Sequence, residues 1–175
     1  MPAEPVDLRD YIRDVPDFPA PGVLFRDITP LLRSPIAFAA AIDGLAAYVA
    51  QRAPDAVVGI ESRGFLFGAP IAVRLGLTFV PVRRPDKLPA ARMSIEYTLE
   101  YGSGRLDIHA DALARGERAV IVDDVLATGG TANGAAKLVE LLGAQVAGIV
   151  FLIELKGLGG RERLGGYDVL SLLVL

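Results

Sequence analysis

Between Ala119 and Thr131 an unbroken apolar run, Ala119-Val120-Ile121-Val122, passes directly into two carboxylates, Asp123-Asp124, and then into Val125-Leu126-Ala127-Thr128-Gly129-Gly130-Thr131. A strand without polar alternation has both faces covered, which is the condition of a parallel sheet between helical layers. The pattern recurs along the chain. Ala56 to Ile60 leads into Glu61-Ser62-Arg63-Gly64 and a helix ending near Gly76. The strand at 119–122 leads through its glycine turn into a helix from about Gly130 to Leu142, stopped by Gly143. Val146 to Ile153, Thr78 to Val82 and Asp168 to Leu173 read as further strands. This alternation predicts a single α/β domain over 1–175 with a parallel β-sheet core flanked by helices. Ligands of such sheets sit beyond the carboxyl ends of the strands.

Composition narrows the function. A chain of 175 residues is long enough for a true core, and 52% hydrophobic against 22% charged residues excludes disorder. The net charge of −3 argues against a nucleic-acid coat, which needs a basic face. With no cysteine there is no disulfide, thiolate metal site or cysteine nucleophile, and a single histidine, His109, cannot build a histidine-rich metal site. No apolar run reaches the roughly 18 residues of a membrane span. Met1 to Asp14 is acidic and lacks the layout of a signal peptide. The expectation is a cytoplasmic protein with neither membrane nor nucleic-acid partner.

Two segments depart from the strand–helix rhythm. Pro16, Pro19, Pro21 and Gly22 crowd the start, so residues 1–34 are expected to form an irregular hood rather than a central strand. Ser34-Pro35 then opens a helix, Ser as cap and Pro at the first position, running over Ile36 to Arg52 and closed by Pro54. Residues 83–109 form the second departure. Ser94, Glu96, Thr98 and Glu100 alternate with Ile95, Tyr97, Leu99 and Tyr101, and Gly102-Ser103-Gly104 precedes Arg105 to His109. That predicts an inserted antiparallel β-ribbon with a flexible tip, a candidate lid.

The chemistry concentrates after the strand at 119–122. Adjacent buried carboxylates need a cation, hydroxyl donors or solvent. Glycines let backbone N–H groups approach a ligand, threonines add donors, and a helix N-terminus favours an anion. A phosphate therefore fits Ala127, Thr128, Gly129, Gly130 and Thr131, with Asp123 and Asp124 placed for sugar hydroxyls or a hydrated Mg²⁺. Arg63, next to Ser62, has the planar fork suited to phosphate. Gly157-Leu158-Gly159-Gly160 lacks dinucleotide-fingerprint spacing and reads as a turn, Arg161 to Arg163 as a solvated helical turn, and His109 as a hairpin surface residue.

Val120 to Thr131 resembles the phosphoribosyl-pyrophosphate (PRPP) motif of type I phosphoribosyltransferases. Pro21 to Pro30, Glu61 to Phe65, Lys87-Leu88-Pro89 and Leu99-Glu100-Tyr101-Gly102 are similar, in order, to segments of the adenine phosphoribosyltransferase family. The resemblance runs from about Ile12 to the C-terminus. It implies transfer of ribose 5-phosphate from PRPP to N9 of adenine, giving AMP and pyrophosphate, with Mg²⁺ as cofactor and a homodimer as assembly. Carried over by position, Ala127 to Thr131 would hold the 5-phosphate, and Asp123 and Asp124 the ribose hydroxyls, directly or through Mg²⁺. Ser62 and Arg63 would hold pyrophosphate, often with a cis peptide, and Lys87, with Arg83 and Arg84 nearby, would add charge. Glu100 would be the acid/base on the ribbon, with Tyr101 flanking the reacting centre. Adenine would meet Phe25, the backbone of Leu24 and Arg26, and Leu155. The rival expectations are another purine specificity, or a PRPP-sensing regulator of the same fold.

Overall fold

A computed structural model of the chain describes residues 6–98 and 102–175. Contacts gather into two compact units, the first ending at Gly44 and the second beginning at Leu45.

In the first unit, strand β1 (Arg13–Pro16) pairs antiparallel with β2 (Leu24–Asp27), with Arg13 opposite Asp27 and Pro16 opposite Leu24. The proline-rich start is thus a hairpin rather than an irregular cover. Proline is tolerated because Pro16 ends a strand of a two-stranded ribbon, where few ladder bonds are lost. Arg13 donates to Asp27 Oδ2 (2.9 Å), and Phe18 packs edge-on against Phe25 with centroids 5.1 Å apart. Asp27 also accepts from the Thr29 amide (2.9 Å) at the start of the short helix α1 (Thr29–Arg33). Helix α2 (Pro35–Gln51) begins where Ser34 Oγ accepts from the Ala37 amide at 3.3 Å, the expected cap.

The second unit is built on a five-stranded sheet in the order β4-β3-β7-β8-β9, every pairing parallel. These strands are β3 (Ala56–Ile60), β4 (Thr78–Val82), β7 (Arg118–Leu126), β8 (Gln145–Glu154) and β9 (Val169–Val174). All five residues of β3 are buried, as are Val120, Ile121 and Val122 of β7. Each such aliphatic side chain contributes about 1.5–3 kcal/mol by leaving water. Helix α3 (Gly64–Leu75) packs on β3 and β7 and ends at Gly76, which takes the left-handed conformation (φ 66°) that closes helices. Helix α4 (Gly130–Leu141) packs on β7 and β8.

Inserted between β4 and β7 is the ribbon, β5 (Arg92–Thr98) antiparallel to β6 (Ser103–His109), with Arg92 opposite His109 and Thr98 opposite Ser103. Its alternation follows the expected pattern: Ile95 and Tyr97 pack on the core. The Tyr97 ring lies in a groove of three glycines on the ribbon and α4. A Cβ on Gly104 would come 2.6 Å from it, and one on Gly134 3.3 Å; one on Gly130 would stand 2.8 Å from the Thr98 carbonyl oxygen. Among the described residues no helix is long and apolar enough to cross a membrane.

Candidate active site

Two strand ends open the site. Pairing between β3 and β7 stops at Gly59–Val122, while β7 continues alongside β8 as far as Leu126–Glu154. Asp123 and Asp124 therefore do not end their strand, as the sequence suggests; they lie within it, beyond the point where β3 has turned away. The ten-residue β8 keeps the main chain extended past the carboxylates. On the side β3 vacates, a cavity of about 480 Å³ is lined by Glu61, Ser62, Arg63, Arg84, residues 123–132 and Phe151. Gly64 lets α3 start against this edge: a Cβ there would stand 2.7 Å from the Val122 carbonyl oxygen and 3.1 Å from Asp123 Oδ1.

The carboxylates hold charge under strain. Asp124 is buried, and Arg63 Nε lies 2.7 Å from its Oδ2. That contact is an ion pair without hydrogen-bond alignment, for Oδ2 has no hydrogen-bond partner. Asp123 Oδ1 accepts from the Asp124 amide at 2.9 Å. Burial, and then the neighbouring Asp124 charge, push the Asp123 carboxyl well above the usual carboxylate range. Burial also raises Asp124, opposed by the Arg63 guanidinium. Such a pair favours any ligand that brings hydroxyl donors or a cation.

The turn after the strand is open to an anion. Gly129 takes φ 79° as the residue before α4, and no side chain caps this helix start. The first-turn N–H groups lack intrahelical partners and carry the positive end of the helix dipole. Beneath the turn lies the short helix α5 (Gly160–Arg163): a Cβ on Gly160 would stand 2.2 Å from the Ala127 carbonyl oxygen, and one on Gly129 2.8 Å from the Gly160 carbonyl oxygen. The Gly159-Gly160 pair is more than a turn, since it lets α5 support the anion loop from below. Nor are the following arginines simply solvated: Arg161 donates to Glu154 Oε1 (3.0 Å), and Arg163 Nη1 reaches the Thr98 carbonyl at 3.5 Å.

On the opposite wall the Glu61–Ser62 peptide is cis, one bond before the Ser62-Arg63 pair. Glu61 accepts from the Arg84 amide (2.9 Å) and from Arg83 Nε (3.2 Å). Burial opposes its ionisation, but those donors and the Lys87 charge hold it below the usual range. Arg83 is thus engaged within its own chain. The cavity brings together Ser62, Arg63, Asp123, Asp124 and Ala127 to Thr131. Lys87 is exposed and outside the lining; its carbonyl accepts from Arg83 Nη1 at 3.3 Å. Leu155 is half-buried, its amide donating to the Leu126 carbonyl (2.9 Å), and does not line the cavity. Leu24, Phe25 and Arg26 lie on β2 of the first unit, Arg26 paired with Asp14. Glu100 and Tyr101 lie outside the described residues. Arg84, in the basic stretch beside Lys87, lines the cavity, and so does Phe151, which carries no sequence signal because it reads as strand core.

A parallel sheet whose central strand carries paired carboxylates and runs into an amide-lined turn, faced by a Ser-Arg loop, defines a phosphoribosyl transferase site. Residues 28–171 match the phosphoribosyl transferase domain family. A curated relative, adenine phosphoribosyltransferase of Synechococcus sp., is 55% identical over 96% of this chain and 98% of its own length. The crystal structure of adenine phosphoribosyltransferase from Thermoanaerobacter pseudethanolicus superimposes with a TM-score of 0.93 at 54% identity, over 96% and 98% of the two chains. That of Saccharomyces cerevisiae, complexed with adenine and an imino-altritol 1,6-bisphosphate, gives 0.90 at 40% identity, over 95% and 96%. The chain belongs to the adenine phosphoribosyltransferase family.

Proposed function

We propose that the chain transfers the 5-phosphoribosyl group of PRPP to N9 of adenine, forming AMP and pyrophosphate. The observation that carries this reading is the cavity in which the carboxylate pair faces Arg63 on one side and runs into the Ala127–Thr131 turn on the other. A phosphorylated pentose needs both ends of that arrangement. Its 5-phosphate takes the amides and threonine hydroxyls of residues 127–131, and its vicinal hydroxyls donate to Asp123 and Asp124. Ser62, Arg63 and Lys87 hold the diphosphate leaving group.

The transfer breaks the C1–oxygen bond to pyrophosphate and forms the N9–C1 bond with inversion. Binding both partners makes the displacement effectively intramolecular. Glu100 takes the proton the purine loses near N7 or N9, a contribution of about 10²–10⁴-fold for a positioned carboxylate. The ribbon around Tyr101 shuts water away from an oxocarbenium-like C1. Phe25 and Leu155 stack on the base, and the backbone at Leu24 and Arg26 reads its edge. Among the described residues no three carboxylates or histidines cluster to hold a metal. Two carboxylates with room for water suit Mg²⁺, which binds through few protein ligands and substrate phosphates. Asp123 and Asp124 would hold Mg²⁺ through its waters, and the ion would neutralise diphosphate charge. The reading also includes a homodimer in the cytoplasm, tested by sedimentation at twice the chain mass.

The decisive experiment is a base panel. Pyrophosphate release should require PRPP and adenine, and hypoxanthine should react at least 10²-fold more slowly, because a 6-oxo group leaves buried polar groups of the site unpaired. Equal turnover of the two bases would overturn the adenine assignment.

A further inference from the structure

The ribbon holds a buried carboxylate that the transfer itself does not use. Asp107 sits in mid-strand β6 with no solvent exposure, although alternate positions of that strand carry polar residues. Both of its oxygens are engaged. Arg105 Nε donates to Oδ1 (3.2 Å), the Asp86 amide donates to Oδ2 (3.2 Å), and Arg92 Nε lies 3.4 Å from Oδ2. Ser94 stands opposite Asp107 on the neighbouring strand of the ribbon. Its backbone forms a two-way bridge with Arg83: the Arg83 amide donates to the Asp107 carbonyl (2.9 Å) and the Asp107 amide to the Arg83 carbonyl (2.8 Å). Arg92 and Arg105 then converge on Asp86 Oδ1, at 2.9 and 3.0 Å.

Asp86 stands immediately before Lys87 and has φ 61°, a conformation rare for a residue with a side chain. Its left-handed backbone is held by the hydrogen bond its N–H donates to Asp107 and by the two arginines on its carboxylate. Beyond Lys87 the turn is pinned again, since Arg83 Nη1 donates to the Lys87 carbonyl while Arg83 Nε donates to Glu61 at the cavity wall. Through Asp107 the two ribbon strands, the turn 83–87 and the wall of the diphosphate side become one hydrogen-bonded frame. We infer that Asp107 is a positioning residue: it fixes the turn that presents Lys87, and with it the cation offered to the diphosphate. The inference rests on the proposed role of Lys87 toward pyrophosphate.

A double-mutant cycle tests it. Asp107→Asn keeps shape and one acceptor but removes the charge that organises Arg92 and Arg105. It should raise the KM for PRPP and the Ki for pyrophosphate about tenfold and leave the KM for adenine within about twofold. In a Lys87→Ala background the same substitution should add less than twofold, because the residue it positions is gone. Asp86→Ala, at an exposed side chain, gives the same readout should Asp107→Asn not fold. If Lys87→Ala leaves PRPP and pyrophosphate binding unchanged, the role of Lys87 falls and the inference falls with it. If Lys87→Ala weakens both but Asp107→Asn or Asp86→Ala does not, or their effects multiply fully in the double variant, Asp107 is structural only and the inference alone is overturned.

Discussion

Gly160 shows how a residue far from substrate in sequence can govern a phosphate turn. Its missing Cβ lets α5 approach the Ala127 carbonyl so closely that any side chain would overlap that oxygen at 2.2 Å. The overlap is with backbone and cannot be relieved by a rotamer change, so Gly160→Ala must displace either α5 or the turn. Overpacking of this kind costs about 1–3 kcal/mol. The expected outcome is a lower thermal midpoint together with PRPP binding weakened tenfold or more, checked by calorimetry on the same preparation. At this scale the sequence is least legible. The glycines at 157–160 read as a turn because nothing local reveals that Ala127 lies above them. Nothing in the local sequence marks Asp107 as buried, for the groups on its carboxylate include Arg92 and the Asp86 amide, brought in from elsewhere in the chain. The acidic pair and the Ala127–Thr131 glycines are the opposite case, for their chemistry and their neighbours in sequence are the site.

Among the elements, the apolar runs predict β3 and β4 with the observed bounds, and β8 and β9 to within a residue or so, because a covered parallel sheet is written in unbroken apolar composition, fully buried at β3 and only partly at the edge strands β4 and β9. The ribbon is equally plain from its period of two. Other features are hidden. β7 runs on through Asp123 to Leu126 because β8 continues beside it, a partner that local composition does not disclose. The N-terminal hairpin is masked by prolines that a two-stranded ribbon tolerates. How the ribbon is held was also unreadable, since it depends on glycines from two elements meeting one ring. The Tyr97 ring anchors β5 on α4 through Gly134, and Gly130, the first residue of the anion-binding helix, lies close against the Thr98 carbonyl of the ribbon. Tyr97→Ala should release the ribbon locally: amide exchange in β5 and β6 should quicken about tenfold or more, with β3 and β7 unchanged. Tyr97→Phe should keep protection near that of the parent, because the contacts are with the ring. Uniform quickening across the sheet would show that the ring supports the whole core and not the ribbon.

For the whole molecule, the carboxylate pair links stability, pH and ligand. Asp123 and Asp124 are both raised above the ordinary value of 3.8, Asp123 strongly. Between that value and the raised ones, the folded protein binds more protons than the unfolded chain, so the contribution of the pair to stability falls as pH rises through this window. PRPP acts in the opposite sense. Its hydroxyls donate to the ionised carboxylates, so its affinity should grow over the same window, and with it the stabilisation at a fixed PRPP concentration, which is about 2.7 kcal/mol where that concentration is 100 times Kd. Thermal midpoints measured with and without PRPP from acid to neutral pH should therefore diverge. Asp123→Asn removes the most strongly shifted proton site and should flatten both slopes. Ionisation of the PRPP phosphates is common to the parent and the variant, so the difference between their slopes isolates the carboxylate. Parallel slopes in the two proteins would mean that Asp123 does not exchange its proton for the sugar, and the assignment of the pair to the ribose would fail.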